Sequence, residues 1–311
     1  MAAPRTAVSV SAQRFQLDGR PVFLVGVSLF DALGASPPRD EDLEALKAWG
    51  VNLVRVWSHW HDPIYQPDGS LSDQGRARLL QLAKRLDSRG LVLELVLLRP
   101  GQLPGQPFAA FASAGARERA VESITAALRE YRNVLFDLYN EHDHPDGPIS
   151  HQAARVLRDK VKAIDPARVL TISSTEHHLV SAEGRVTEAG ALNLREEAGA
   201  DAASVGVDVI AVHLPRTNDW AAATAARVQA LRAALDRTGR SLPIYLNEER
   251  REQGGVRLGA ESYARAITGA RSANAAGWLF HTAAGFDLRK KRFLDALSAD
   301  ERAGLGSLKT P

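Results

Sequence analysis

Eight short β-branched or Leu-rich runs alternate with longer segments of helical periodicity almost to the end of the chain, and that alternation constrains the fold more than any other feature. The runs are Val22–Val27, Asn52–Trp57, Leu91–Leu98, Val134–Tyr139, Arg168–Ile172, Val209–His213, Ile244–Asn247 and Trp278–His281. Helical patterns fill the intervals at Glu41–Trp49, Asp73–Arg89, Ala116–Tyr131, Ser150–Ile164, Asp219–Thr238 and Ala260–Ala275, with a weaker one near Lys290–Arg302. Strands joined through helices call for parallel pairing. Eight such units in one chain of this length predict a (β/α)8 TIM barrel ahead of a doubly wound sheet. Gly50, Gly90, Gly239 and Gly277 fall where helices end, as C-caps do. Val8–Val10 and Phe15–Leu17, turning at Asp18-Gly19, predict a short N-terminal β-hairpin that closes the barrel floor. The fifth crossover is the weak link, because Gly190, Gly199 and charged residues interrupt the pattern in Thr187–Ser204. No repeat, Pro/Ser-rich linker or low-complexity tract divides the chain, so residues 1–311 are expected to form a single catalytic domain.

Composition narrows the function classes. With 45% hydrophobic and 24% charged residues over 311 positions, the chain can bury one large core. Its formal charge of +2 is small, and Lys and Arg are scattered among Asp and Glu, so neither nucleic acid nor an anionic membrane is an expected partner. There are no cysteines, which excludes disulfides, thiolate metal sites and a Cys nucleophile. No stretch of about 18 apolar residues occurs, and Met1-Ala2-Ala3-Pro4-Arg5 has no apolar signal core. A soluble protein is expected, with secretion left open, since an initiator Met before a trimmed mature sequence reads the same way.

In a barrel of this kind, chemistry collects at the C-terminal ends of the strands. Those ends carry Ser28 and Asp31; Arg55, Trp57, His59, Trp60 and His61; Arg99; and Asn140, Glu141, His142, Asp143 and His144. Later strands add Glu176, His177 and His178; His213 and Arg216; Glu248, Glu249 and Arg250; and Trp278 and His281. Eight of the nine histidines are in that set, a one-ended concentration that scatter does not explain. Two strands run straight into Asn-Glu pairs, Asn140-Glu141 and Asn247-Glu248. A carboxylate at the end of a buried strand is rigidly held and faces a cleft, where paired carboxylates act as acid, base or nucleophile.

The segments Asp18-Gly19-Arg20-Pro21 into Val25-Gly26-Val27, Gly50-Val51-Asn52-Leu53-Val54-Arg55-Val56-Trp57, Phe136-Asp137-Leu138-Tyr139-Asn140-Glu141 and Pro243-Ile244-Tyr245-Leu246-Asn247-Glu248 run in a telling order. Together they resemble the cellulase-like retaining glycoside hydrolases of clan A, close to family 5, over about the whole chain. The resemblance implies Glu141 as general acid/base, Glu248 as nucleophile and Asn140 as the partner of the sugar 2-hydroxyl. It implies Arg55 as the arginine that keeps the nucleophile ionised, His213 as the histidine beside it, and Trp278 as the platform under the sugar ring. A β-linked oligo- or polysaccharide is then the expected substrate, with no cofactor and no metal. Retention requires two carboxyls about 5–5.5 Å apart. Arg55 is expected to lower the pKa of Glu248, and burial to raise that of Glu141. Two departures stand out: His142 follows the acid/base where Pro is usual, and His213-Leu214-Pro215-Arg216 lacks the Tyr that commonly follows the histidine.

Each site residue has a structural alternative. Both glutamates are also residue types favoured at helix N-termini, and Glu249 replaces Glu248 if the strand ends one residue later. Arg55 inside an apolar strand demands a carboxylate partner whatever its role. Trp57 and Trp278 serve equally as core or as sugar platforms, Trp60 and Tyr65 are candidates for further sugar subsites, and His59 and His142 are candidates for substrate contact. The main rival enzyme is a metal-dependent barrel using His59/His61, His142/His144 and His177/His178 with Asp62, Asp143 and Glu176, although the spacing matches no metal motif. A phosphate-binding barrel rests only on Gly254-Gly255, and an inert glycan-binding barrel is the non-enzyme reading.

Overall fold

The computed structural model describes residues 6–99, 111, 113–145, 147–175 and 196–309. Three antiparallel strands come first: β1 (Val8–Ser11), β2 (Arg14–Leu17) and β3 (Arg20–Val22). A parallel sheet follows, formed by β4 (Leu24–Ser28), β5 (Leu53–Trp57), β6 (Val92–Val96), β7 (Val134–Asp137), β8 (Leu170–Thr171), β9 (Ser173–Thr175), β10 (Ile210–His213), β11 (Ile244–Leu246) and β12 (Gly277–Phe280). Its order is β8-β7-β6-β5-β4-β12-β11-β10-β9. Only Ile172 separates β8 from β9. They are therefore two halves of one barrel position, β8 pairing with β7 and β9 with β10, and the sheet closes as a (β/α)8 barrel. The break has a local cause. Asp137 reaches into the ladder, its Oδ1 accepting from Ser173 N (3.1 Å) and its Oδ2 from Ser173 Oγ (2.8 Å).

Helices join the strands at Asp40–Ala48, Asp73–Asp87, Ala114–Leu128, His151–Ile164, Trp220–Asp236 and Ala260–Ser272. Ser72, Ser113 and Ser150 cap three of them by accepting a backbone N–H from the first turn. The segment near Lys290–Arg302 resolves into two short helices, Phe293–Ala296 and Ala299–Gly306. Of the fifth crossover, residues 196–200 are helical and run into a π-turn at Asp201–Val205; the rest lies outside the described residues. Among the described residues, no helix is long and apolar enough to cross a membrane.

Two expectations need correction. The Asp18-Gly19 turn, with φ of 52° and 76°, joins β2 to β3, while β1 turns into β2 at Ala12-Gln13. The floor is thus a three-stranded sheet, because the first expected strand is cut at Phe23. There the Asn52 side chain donates to Phe23 O (3.2 Å) and accepts from Val25 N (2.8 Å). Gly277 is not a helix cap: it opens β12, and the left-handed residue ending the preceding helix region is Asn274, at φ 66°. A Cβ at position 277 would stand 3.0 Å from Leu24 and Tyr245, so close strand packing accounts for that glycine.

Alternation along the strands divides the interior. Outward residues such as Val25, Val54, Val56, Phe136, Val212 and Trp278 join the helices in the main apolar layer. Inward residues Leu24, Leu53, Val92, Leu135, Val209, Tyr245 and Leu279 form a floor plugged by Val8 and Phe15, the Phe15 ring meeting Tyr245 edge-on at 5.9 Å. One pleat higher the inward positions turn polar, at Ser28, Arg55, Glu94 and Asp137. The floor is apolar, and the layer above it carries charge.

Candidate active site

Arg55 sits at the centre of that charged layer, fully buried. Its Nε donates to Glu94 Oε1 (2.9 Å), Nη2 to Asp137 Oδ2 and Asn140 Oδ1 (both 2.7 Å), and Nη1 to Glu248 Oε2 (3.0 Å). A buried guanidinium is tolerated only when its donors are met by acceptors, and four side chains, two from strands β6 and β7 and two from the rim, meet it. Glu94 in turn accepts from Tyr245 Oη (2.7 Å) and Asn247 Nδ2 (3.1 Å), which ties the floor to the end of β11. Burial pushes the Glu94 carboxyl above its usual range despite the pull of Arg55. The three carboxylates around Arg55 hold its own pKa above the ordinary value against the effect of burial.

Above this layer the two strand-end glutamates meet. One carboxylate oxygen of Glu141, one of Glu248 and a ring nitrogen of His213 all lie within 4.8 Å of one another. His213 Nδ1 is 3.0 Å from Glu141 Oε1, and its Nε2 is 3.9 Å from Glu248 Oε2. Glu248 Oε1 accepts from Arg216 Nη2 (2.6 Å), with His281 Nε2 at 3.5 Å and Arg251 Nη1 at 3.7 Å. Burial alone raises the Glu248 pKa, but the pull of His281, His213, Arg216 and Arg55 on its two oxygens holds it well below the carboxylate range. Glu141 differs from expectation. Burial pushes it up, yet the hydrogen bond and charge of His213, helped by Arg216, outweigh burial and leave its carboxyl below the usual value. Its side chain keeps 16% of its surface exposed, where Glu248 keeps 8%.

The backbone of Glu141 is left-handed, at φ 52°. Its neighbours hold it there: Asn140 N donates to Leu98 O (2.8 Å), Glu141 N to Ser173 Oγ (3.2 Å) and His142 N to Ser173 O (2.9 Å). This twist turns Glu141 inward over Asn140, and it also turns His142 away.

The remaining sequence candidates divide. It is Glu248 that meets Arg55, Arg216 and His213, whereas burial, against the pull of Arg227 and Arg216, pushes the Glu249 carboxyl up to about 7. Trp57 is buried against the rim, stacked on Phe30 at 3.6 Å, with the Arg55 guanidinium 4.3 Å from its ring centroid. Trp60 joins the same aromatic cluster and donates Nε1 to Phe286 O (2.7 Å). Three substrate-contact assignments are corrected. Trp278 is 0% exposed and faces outward to the helices, because the strand pleat puts Gly277 and Leu279, not Trp278, inside. His59 is buried beneath the rim beside Ser58 and Arg99, which together with burial keeps its pKa well below normal. His142 is buried among His151, Glu197 and Asp201, behind the carboxylate pair. Glu176, His177 and His178 lie outside the described residues. The sequence reading missed Glu94, Asp137 and Arg251, and assigned no task to Arg216. Glu94 and Asp137 carried the signal that marked Arg55, a charge inside an apolar strand.

Comparisons with known proteins agree with this architecture. A family model described as cellulase (glycosyl hydrolase family 5) matches residues 15–234. No curated protein matches by sequence. Among solved structures, the endo-1,4-β-mannanase of Rhizomucor miehei is 14% identical with a TM-score of 0.65, over 97% of this chain and 98% of that one. A β-glucanase from Saccharophagus degradans is 14% identical with a TM-score of 0.67, over 98% and 93%. The β-mannanase of the blue mussel Mytilus edulis is 14% identical with a TM-score of 0.60, over 98% and 97%.

Proposed function

Since the chain belongs to the cellulase family, glycosyl hydrolase family 5, and so is a glycosidase of clan A, we propose that it hydrolyses β-linked oligo- or polysaccharides with retention of configuration. The observation that carries the reading is the pairing of Glu141 with Glu248, whose nearest oxygens lie within 4.8 Å. That separation suits a direct attack on the anomeric carbon and leaves no room for a water between carboxylate and sugar, as inversion requires.

In this reading Glu248, kept ionised by Arg55 and Arg216, attacks the anomeric carbon while Glu141 protonates the departing glycosidic oxygen. The proton comes from the hydrogen-bonded Glu141–His213 pair, whose atoms are 3.0 Å apart. Water then enters, Glu141 takes its proton, and the oxygen displaces Glu248 from the sugar. The anomeric carbon is inverted twice. Asn140 has its Oδ1 engaged by Arg55 (2.7 Å), which leaves its Nδ2 to donate to the sugar 2-hydroxyl. Trp57 and Trp60 form one aromatic wall of the cleft. The neighbours' substrates, mannans and glucans, define the first panel to try. Incubation with β-1,4-mannan, β-glucan and aryl β-glycosides, with product anomers followed by NMR, is expected to show the β anomer first. Initial release of the α anomer would sink the retaining reading.

Arg216 provides a separate test. Its charge sits 2.6 Å from Glu248 Oε1 and favours the ionised carboxylate. Arg216→Ala removes that charge, so the Glu248 pKa rises and the acidic limb of the kcat/KM profile moves to higher pH. An unmoved acidic limb would mean that Glu248 is not the group whose ionisation the profile reports.

A further inference from the structure

We propose that His142, His151, Glu197 and Asp201 form a closed, four-coordinate site for a divalent transition-metal ion of the zinc type, clamping the loop that carries Glu141. The proposal stands independently of the reaction assigned above.

The four residues arrive from three elements. His142 follows Glu141 in the loop after β7, His151 opens the helix His151–Ile164, and Glu197 and Asp201 lie one turn apart on the helical segment that runs into the π-turn. One donor atom from each lies within 4.8 Å of all the others. His142 Nε2 is 3.2 Å from Asp201 Oδ1 and 3.7 Å from Glu197 Oε2. His151 Nε2 is 3.0 Å from Glu197 Oε2 and 3.4 Å from Asp201 Oδ1. A tetrahedral ion with bonds of about 2.0–2.2 Å sets its donors about 3.4 Å apart, so these four separations bracket the edge of such a site.

Hydrogen bonding does not explain the arrangement. His142 Nε2, His151 Nε2, Glu197 Oε2 and Asp201 Oδ1 are all buried, and none of them makes a hydrogen bond of acceptable geometry. His142 is 2% exposed and Asp201 0%, so bulk water does not reach them. Unpaired buried polar atoms are costly, and here all of them converge on one point. Two imidazoles and two carboxylates are a donor set that suits zinc, and the two negative charges offset a dication. Four protein donors leave no open position, which marks a structural ion and not a catalytic one. Protons are the competing occupant. Burial pushes His142 down, but Asp201 outweighs it and lifts the ring to about 9, while Asp201 and Glu197 lift His151 to about 10.

The test uses the full chain without a polyhistidine tag, stripped with chelator and titrated with Co2+. Wild type is expected to take up one equivalent with the intense visible bands of tetrahedral cobalt. Saturating Zn2+ is expected to abolish those bands and, at about 100-fold over its dissociation constant, to raise the Tm by about 4 °C. His151→Gln and Glu197→Gln, both at partly exposed positions, are expected to lose the bands and the Zn2+ shift while keeping the far-UV circular dichroism of wild type. If wild type binds no more Co2+ than these variants, or gives only weak octahedral bands, the cluster is an imidazolium–carboxylate pair and the metal site is refuted.

Discussion

Glu248→Gln is expected to reduce kcat on a β-linked substrate by at least about 10⁴-fold, and Glu141→Gln by about 10²–10⁴-fold. The two losses differ in kind. Without the Glu248 carboxylate no glycosyl–enzyme bond forms, whatever the leaving group. Without Glu141 the protonation of the leaving oxygen and the activation of the incoming water are both lost, and an aryl glycoside whose phenol departs unaided recovers the first step, which is the step kcat/KM reports. Gln preserves the volume and most of the hydrogen bonding at each position, so both proteins are expected to fold. The measurement is a pair of kcat/KM values for each variant, on a polysaccharide and on an activated aryl glycoside. If the aryl substrate rescues Glu248→Gln as well as it rescues Glu141→Gln, the roles are misassigned. Equal turnover by all three proteins removes both residues from the chemistry.

Arg55→Met is expected to destabilise the fold by about 3–5 kcal/mol, the usual result of removing one partner from a buried ionic group. Its guanidinium meets Glu94, Asp137 and Glu248 at 2.7–3.0 Å, and methionine fills the space without returning any donor. Three carboxylates then face one another in the barrel interior, and their common response is to take up protons, which also raises the Glu248 pKa and disables it at neutral pH. Glu94→Gln added to Arg55→Met removes one uncompensated charge, so the double variant is expected to recover part of the loss. Denaturant midpoints at constant slope report the effect. A midpoint for Arg55→Met within error of wild type would show that the carboxylates had not depended on the guanidinium.

The barrel was legible because its signal is periodic. Strand and helix boundaries follow from hydrophobic patterning and helix-ending glycines, and the structure moves most of them by one or two residues. The Asn140-Glu141 and Asn247-Glu248 strand ends were legible for a related reason: a polar residue at the end of an apolar run has one place to go in this fold. What patterning misread was the direction in which individual side chains face. Trp278 lies one pleat position from the inside, and a shift of one residue sends a side chain to the opposite face of a strand. His142 follows a left-handed residue, so its neighbour faces the cleft while it does not. The Arg216–Glu248 contact depends on how the loop after β10 folds back, which no local pattern encodes. The floor gained a strand because Asn52 ties off the backbone at Phe23, a contact between distant residues.

The left-handed backbone at Glu141 has a consequence for how such a protein persists through generations. A side chain with a Cβ in that conformation costs about 1 kcal/mol, and glycine escapes most of the cost. Glu141→Gly relieves that cost but gives up the His213–Glu141 hydrogen bond, which holds the Glu141 carboxyl below its usual value. The two effects oppose, so the variant is expected to melt within a few degrees of wild type while its turnover collapses, which thermal melts beside activity assays would register. A single A-to-G change in either glutamate codon produces it. One single-base step at this position thus leads to a folded, inert barrel at little cost in stability, so under the proposed function it is demand for turnover that keeps a glutamate there.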